Sequence, residues 1–304
     1  MTWLFLAIGS AFCLGFYDIS KKRSLEGNSV PFVLFLSVLF SSLLLLPFLL
    51  LSRFSPSFLA DTLFFVPQVD LHTHCLIFLK SCIVLLSWGL VYWAVQHLPL
   101  TVVSPVTATR PMWTLLGALF LFSERLNLWQ WIGVSVASAS FWLFSYVGKK
   151  EGFDYVRNKY ILVLILGTLC GSASGLYDKY LMHSLDHAAV QVYYTFYQAL
   201  LMGIICAFLL VCNRKRERQR IGIRSKGWIV CISVFLILSD FLYFLALSYP
   251  DSLISVISLV RRSGVVIPFI YGATLLHEKN LRWKAVCLLG VLFGMFCLFL
   301  GTLG

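Results

Sequence analysis

The stretch YWAVQHLPLTVVSPV, residues 92–106, returns in altered form as YFLALSYPDSLISVI at residues 243–257. The same offset of 151 positions aligns Pro99 with Pro250 and Ser104 with Ser255. Two further pairs follow the same order along the chain: GFYD at 15–18 with GLYD at 175–178, and GALFLFSERLNLWQW at 117–131 with GATLLHEKNLRWKA at 272–285. Three weak matches in one order predict two copies of one structural unit, residues 1–148 and residues 149–304.

The composition is that of a protein dissolved in a lipid bilayer. Hydrophobic residues make up 60% of the 304 residues, charged residues make up 12%, and the mean hydropathy is +0.87. A soluble domain is about half apolar and about one quarter charged. The net charge of +11 does not indicate nucleic acid, because the basic residues lie in short clusters between apolar runs and form no basic domain.

Ten segments are long and apolar enough to cross a bilayer, which takes about 20 residues per helix. They are 3–19, 30–52, 75–96, 100–122, 128–147, 160–178, 189–212, 227–247, 252–276 and 283–303. The first is interpreted as a retained span, since no basic segment or cleavage site precedes it. Five spans per copy is an odd number, so the second copy enters the membrane from the opposite face. The fold class predicted is therefore an all-α integral membrane protein with ten transmembrane helices in two inverted five-helix repeats around a central cavity.

The distribution of Lys and Arg among the loops predicts the orientation of the chain. Seventeen of these residues lie in the loops on one face, three lie on the other face, and four lie within the spans. Cytoplasmic loops carry the excess of basic residues. We therefore expect a multi-pass protein of the cytoplasmic (inner) membrane with both termini outside.

The repeated elements resemble those of the drug/metabolite transporter superfamily, and within it the ten-helix EamA-type branch. The resemblance rests on the five-plus-five repeat, on the proline turns before spans 4 and 9, and on the endings Glu124–Arg125 and Glu278–Lys279. It implies a central cavity, alternating access, and export or exchange of a small metabolite. Some members of the superfamily that carry organic phosphates use basic residues on the helices equivalent to spans 4 and 9.

Two adjacent arginines, Arg261 and Arg262, lie deep inside span 9 in the run SLVRRSGVVIPFIYG, residues 258–272. An arginine at a helix centre costs about 2.5–3.5 kcal/mol unless it faces water, a partner or a ligand. Adjacent helical positions differ by about 100°, so the two side chains point in different directions. Arg262 falls in the polar stripe that includes Ser258, and Arg261 falls at its edge. We expect Arg262 to face the cavity, with a structural ion pair as the alternative. Arg261 is a candidate for binding the substrate, and its alternative is a structural pair with a neighbouring helix.

Span 4 has a matching polar face centred on Arg110. Its other members, spaced by three or four residues, are Ser104, Thr107, Thr114 and Gly117. Because spans 4 and 9 are equivalent in the two copies, the arginines are expected to converge on one cavity. Guanidinium groups bind carboxylate or phosphate through two parallel hydrogen bonds. A structural pairing of Arg110 with an acid or a helix-end carbonyl is the alternative.

Three further residues complete the predicted binding site. Lys80 in span 3 either faces the cavity or extends to the interface. Asp240 in span 8 either neutralises an arginine or takes up a coupling proton, and Tyr243 lies on nearly the same face. Seven aromatic residues are candidates for shaping the pocket, although interfacial belts and ordinary packing explain most such residues. They are Trp88, Tyr92, Trp93, Trp113, Tyr193, Tyr194 and Tyr197.

The repeated motif ends in Asp18 and Asp178, which are the candidates for gating or coupling. For Asp18 the alternative is a local ion pair with Lys22 at i+4. No catalytic residue, metal site or cofactor is predicted, since no histidine pair has metal spacing and none of the nine cysteines forms a C-x-x-C pair.

The charges within the spans predict an anionic or zwitterionic cargo. The four basic residues of the spans outnumber Asp240, so the cavity is expected to be electropositive. The predicted function is secondary-active transport of a small carboxylate- or phosphate-bearing metabolite, with a proton or counter-substrate as the coupling partner, by a monomer or weak dimer. The alternative is a flippase or transporter of a phosphate-bearing lipid or lipid-linked group.

Overall fold

The computed structural model describes the chain over most of its predicted spans. The described residues are 2–25, 28–60, 62–97, 110–121, 126–148, 159–212, 226–267, 270–271, 285–286, 289–290, 292–294, 296–297 and 300–301. Within them the chain is almost entirely helical and contains no strand. The predicted residue Thr107 and the repeat endings at Glu124 and Glu278 lie outside the described part of the chain.

The helices are numbered here in chain order. They are α1 (Thr2–Leu25), α2 (Val30–Phe54), the short α3 (Pro56–Leu59), α4 (Leu71–His97), α5 (Arg110–Leu121), α6 (Leu128–Gly148), α7 (Lys159–Ser184), α8 (His187–Cys212), α9 (Lys226–Ser248) and α10 (Ile254–Arg262), which continues as a 3₁₀ turn at Ser263–Val265. Six segments among the described residues are long and apolar enough to cross a membrane, and they correspond to predicted spans 1, 2, 3, 6, 7 and 8. The count of ten spans stays a prediction.

The carboxylates of Asp70 and Asp186 cap the N-termini of α4 and α8. Both helices follow loops that contain few basic residues. Asp70 accepts a hydrogen bond from the backbone N–H of Thr73 at 3.2 Å at the start of α4, and hydrogen bonds from the side chain and backbone of Thr73 lower the pKa of Asp70. Asp186 accepts from the backbone N–H groups of Ala188 and Ala189 at 2.9 and 3.0 Å at the start of α8. These caps satisfy N–H groups that a helix leaves unpaired at its first turn.

The most extensive helix contacts join the first half of the chain to the second. Helix α1 packs along α9, and α4 packs along α7. Serines hold both pairs at close range: Ser10 and Ser239 each donate to the other's backbone carbonyl, at 2.7 and 3.0 Å, and Ser87 donates to the carbonyl of Gly167 at 2.8 Å. Small polar residues of this kind let membrane helices approach closely and bond across the interface.

Several of the other contacts occur in pairs between helices that are equivalent in the two predicted copies. The contacts of α1 with α10 and of α2 with α9 correspond to those of α7 with α5 and of α8 with α4. The contacts of α2 with α8 and of α5 with α10 join equivalent helices directly. The contacts of α9 with α7 and with α8 lack counterparts of similar extent among the described residues, and the inverted repeat stays a prediction.

Buried apolar residues concentrate at one end of the bundle. The largest cluster includes Trp3 and Leu4 at the start of α1, Ile77 near the start of α4, and Leu181 and Leu247 near the ends of α7 and α9. Near the opposite end, where the basic loops lie, two smaller clusters are separate. One joins α4 to α7, and the other joins α1 to α2 and α9. The bundle is thus densely packed at one end and divided near the other.

Candidate functional site

A cavity of about 230 Å³ lies between helices α1, α4, α5, α7, α9 and α10, with one contact from α8. Among the described residues, eight charged side chains line it, five basic and three acidic. They are Asp18, Lys21, Lys80, Arg110, Asp178, Asp240, Arg261 and Arg262. A concave site with a few converging charged groups is typical of a binding site for a small molecule.

The first charged pair lies where the cavity meets the large apolar cluster. Lys80 of α4 forms an ion pair with Asp178 of α7, and both side chains are almost fully buried. The Lys80 ammonium also lies 4.3 Å from the ring centroid of Tyr194 and 4.7 Å from that of Phe244. The carboxylate and the two aromatic faces satisfy this cation within the protein, so it adds no free charge to the cavity.

The second pair joins the two neighbouring helices α9 and α10. Arg261 forms an ion pair with Asp240 and donates to Ser239 Oγ at 3.3 Å. Its guanidinium carbon lies 4.1 Å from the centroid of the Tyr243 ring. Arg261 is thus held by α9, as its position at the edge of the polar stripe predicts.

Arg262 lines the cavity from α10 without such a partner. It makes no hydrogen bond or ion pair with any residue of the described part of the chain. The charge of Asp18, across the cavity on α1, acts on it without a salt bridge between the two described side chains. This guanidinium group is therefore available to a ligand.

Arg110 reaches the same cavity from the first turn of α5. It donates a hydrogen bond to Ser87 Oγ at 3.3 Å and pairs with no carboxylate among the described residues. Its guanidinium group lies directly against the backbone of Gly171 on α7, in space that a Cβ atom would occupy. The glycine at position 171 therefore lets Arg110 take this position.

The charges of the lining leave an excess of positive charge. The Lys80–Asp178 and Arg261–Asp240 pairs neutralise themselves. Over the described lining as a whole, five basic and three acidic side chains leave a formal excess of two positive charges. Arg110 and Arg262 contribute guanidinium groups that pair with no described carboxylate, which makes the cavity suited to an anion.

Comparison with known proteins assigns this architecture to a family. The model of the EamA-like transporter family matches residues 1–146 and again residues 158–300. The chain belongs to the EamA-like transporter family. It is thus a multi-pass membrane transporter of the drug/metabolite type and not an enzyme, as the sequence predicts.

A solved crystal structure of another protein has a similar fold, with a TM-score of 0.71 over 99% of each chain at 11% sequence identity. At this identity the likeness concerns the fold alone. Among curated proteins, none matches the chain significantly in sequence.

The structure of this EamA-like transporter brings nearly all of the predicted site residues to one cavity. The residues that line it are Arg262, Arg110, Arg261, Lys80, Asp240, Tyr243, Ser258, Asp18 and Asp178. Of the seven aromatic candidates, Trp88 and Tyr194 line the cavity. Trp93 and Trp113 are exposed, Tyr193 and Tyr197 pack against His74, and the side chain of Tyr92 lies outside the described part of the structure.

Lys80 is buried within the protein, and Asp240 pairs with Arg261. The binding and coupling roles of these residues stay predictions.

Sequence reasoning missed several residues of the lining, among them Lys21, Ser87 and Gly171. Lys21 was assigned only to the basic loop after span 1, yet it reaches the cavity from α1. Ser87 and Gly171 were not singled out. For Gly171 a signal exists in the small-residue run GSASG at 171–175, which indicates close approach by a neighbouring group. Among the described residues, no three His, Cys, Asp or Glu side chains are grouped so as to hold a metal ion.

Proposed function

We propose that this transporter moves a small organic anion, or a zwitterion bearing a carboxylate or phosphate, across the cytoplasmic membrane by alternating access. The observation that carries the proposal is the cavity in which Arg110 and Arg262 present guanidinium groups that pair with no described carboxylate. A bilayer-embedded arginine without a partner is costly, and an anionic ligand supplies the missing charge. Guanidinium groups bind carboxylate and phosphate with a matching geometry.

The two arginines come from helices that are equivalent in the proposed repeat, residues 1–148 and 149–304. Helices α5 and α10 contact one another directly. A ligand bound between them therefore touches both copies, which is the arrangement expected where inverted repeats move against each other around a central site. The paired contacts of α1 with α9 and of α4 with α7 support this description.

The distribution of packing supports a state in which the cavity is open toward the basic loops. Its lining extends to Lys21, near the C-terminal end of α1. In the opposite direction it ends on Val84, Tyr194, Phe244 and Ile254, which also belong to the large apolar cluster. In the alternative state, the end of the bundle near the basic loops closes around the ligand. The helices that the large apolar cluster joins then move apart.

Coupling is assigned to the carboxylates of the repeated motif. Asp18 faces the cavity within the electrostatic reach of Lys21 and Arg262, whereas Asp178 is held by Lys80. Asp18 is therefore the residue at which binding of an anion and of a proton or counter-substrate would compete. Asp178 would act through its ion pair with Lys80. This pair would break when the helices of the apolar cluster separate and form again when they pack together.

Uptake by reconstituted variants tests the proposal. A thermal-shift screen of the purified protein against anions, cations and neutral metabolites first identifies a compound that raises the Tm. Arg262→Ala and Arg110→Ala are each expected to abolish its uptake into proteoliposomes while the ligand-free Tm changes little, because neither guanidinium has an ion-pair partner to lose among the described residues.

Lys159→Ala is the matched control, since Lys159 is exposed at the start of α7 and lines no described part of the cavity. It removes a positive charge without touching the site and should leave uptake unchanged. Stabilisation by cations alone, or normal uptake by both arginine variants, contradicts the proposal.

A further inference from the structure

A small recess adjoins the main cavity. The cavity presents guanidinium donors, whereas the lining of the recess includes a hydrogen-bond acceptor that no described donor pairs. It has a volume of about 10 Å³, which is the space of one water-sized group. The residues common to both linings are Trp88, Tyr194, Leu236 and Asp240. The recess is therefore a side chamber of the cavity, on the side of α2 and α8.

Gln198 of α8 lines this recess, and its side-chain oxygen is unpaired within the described part of the chain. The residue is only 1% exposed, and no described donor bonds its Oε1 atom. Its Nε2 atom donates to the backbone carbonyl of Ser81 at 2.9 Å. A carbonyl can only accept, so the amide nitrogen must face Ser81, and the assignment of the two atoms is fixed by chemistry. The oxygen is left as an acceptor in need of a donor.

Three other polar side chains around the recess direct hydrogens elsewhere. Ser41 donates to the carbonyl of Ser37 at 2.9 Å, Gln191 to that of Ile237 at 2.7 Å, and Thr195 to that of Gln191 at 2.7 Å. Trp88 and Tyr194 carry donors in the same lining, and neither bonds Gln198 Oε1. With the carboxylate of Asp240, the recess thus adds acceptors to the guanidinium donors that Arg110 and Arg262 supply to the cavity proper.

We propose that the recess is a subsite for a hydroxyl group of the transported anion, with Gln198 Oε1 as its acceptor. This rests on the proposed function, since the anionic part of the ligand is placed at Arg110 and Arg262. A buried acceptor left unpaired is costly, and a ligand that pairs it gains selectivity over an analogue that does not. A hydroxyl fits better than an ammonium group, because Arg261 already neutralises Asp240. The cargo class is therefore a hydroxylated organic anion, such as a hydroxy acid or a polyol phosphate.

Matched ligands test the subsite by binding titration to the purified full-length protein. The pairs are glycerol 3-phosphate with propyl phosphate and malate with succinate, which differ only in hydroxyl groups; aspartate replaces the malate hydroxyl with an ammonium group. The hydroxylated member of a pair that binds should have a Kd about tenfold lower, corresponding to one hydrogen bond of about 1.4 kcal/mol. Equal affinities within both pairs, or a gain for aspartate alone, overturn the hydroxyl subsite.

Gln198→Leu keeps the approximate volume and removes the acceptor. It should weaken the hydroxylated ligand about tenfold and leave its unhydroxylated partner unchanged. The control is Ser42→Ala, a buried α2 serine that donates to the carbonyls of Val38 and Thr195 at 3.0 and 3.3 Å but lines neither space; it should preserve the preference. A preference that survives in Gln198→Leu contradicts the assignment to this residue.

The Tm of the ligand-free protein distinguishes a wrong subsite from a wrong proposed function. If none of the five compounds binds to the wild type, the anion proposal fails, and the Tm of unliganded Gln198→Leu decides the subsite. Gln198→Leu also loses the hydrogen bond to the Ser81 carbonyl, so its Tm is compared with that of Ser42→Ala, which likewise loses a side-chain donor to a backbone carbonyl. A Tm close to or above that of Ser42→Ala is expected if the oxygen is unpaired without a ligand. A Tm several degrees below that of Ser42→Ala would show that a resident water pairs the oxygen, and would overturn the subsite.

Discussion

Among the buried residues, Lys80 and Asp178 show how a charge is tolerated at the centre of this molecule. Each is almost fully buried, and each is the other's partner across 98 positions of sequence. Removing one partner of such a pair leaves an uncompensated charge, which is usually far more damaging than replacing both. Arg261 and Asp240 are arranged in the same way, so the ligand-facing roles fall to Arg110 and Arg262.

Gly171 is the residue that sets the position of Arg110. In Gly171→Ala the new methyl group meets the far end of a flexible side chain, so the guanidinium group shifts and the backbone need not. We expect the Tm to change little and anion uptake to fall at least tenfold, because a shifted guanidinium loses its alignment with the ligand. Proteoliposome uptake and thermal unfolding measure the two effects separately.

Gly175→Ala is the control on the same helix and the same cavity wall. Its new methyl group would lie 3.8 Å from the Tyr243 hydroxyl, an ordinary contact. Uptake should remain near the wild-type rate. Equal loss in both variants would show that any added methyl group on this wall of α7 impairs transport, and the specific role of Gly171 would be wrong.

At the scale of helices, the contact between α1 and α10 depends on a pair of glycines. A Cβ atom on Gly15 would lie 2.7 Å from the carbonyl oxygen of Gly264 and 2.7 Å from the side chain of Ile267. Backbone atoms cannot move aside as a side-chain end can. The short separation of these helices thus requires glycine at position 15, the first residue of the repeated GFYD motif.

Gly15→Ala is expected to lower the free energy of unfolding by about 1–3 kcal/mol, the usual cost of overpacking. Thermal unfolding in detergent measures the change. Gly89→Ala is the matched control: Gly89 is exposed on α4, and an added Cβ has no atom within 4 Å. Since alanine favours a helix over glycine, Gly89→Ala should be neutral or stabilising. A Gly15→Ala protein as stable as the Gly89→Ala protein would contradict the close contact.

At the scale of the whole molecule, the described residues place the cavity and the large apolar cluster toward opposite ends of the bundle, the proposed open and closed ends. The lining reaches Lys21 at the C-terminal part of α1, whereas Trp3 and Leu4 at its start are buried in the cluster. A transporter in this arrangement would exchange ligand with the side on which the basic loops lie. The Lys and Arg bias predicts that this side is the cytoplasm.

Labelling of single cysteines tests both the orientation and the open end, in a variant whose nine native cysteines are replaced by alanine. Ser258→Cys lies in the cavity lining, and Ser184→Cys is exposed at the end of α7 on the closed side. A membrane-impermeant thiol reagent should label Ser258→Cys in inside-out vesicles and Ser184→Cys in right-side-out vesicles. Labelling of both from one face would contradict the open end, and the reverse pattern would contradict the orientation.

The sequence predicted much of the helical organisation because the bilayer imposes a simple rule of length and polarity. Six apolar runs correspond to six long helices, and the repeated motifs correspond to the two matches of the family model. Helical spacing also separated Arg262 from Arg261, since neighbouring positions point in different directions. These features are local: each depends on a short stretch of chain and on the solvent around it.

By itself the sequence therefore determined the solvent, the apolar spans and the set of charges that must be satisfied inside the membrane. Only the tertiary structure decided which charges neutralise one another and which remain for a ligand. Asp178 binds Lys80, Asp240 binds Arg261, and Gly171 admits Arg110. These partners are tens of residues apart, and their distance depends on how whole helices pack, which no local pattern of residue types specifies.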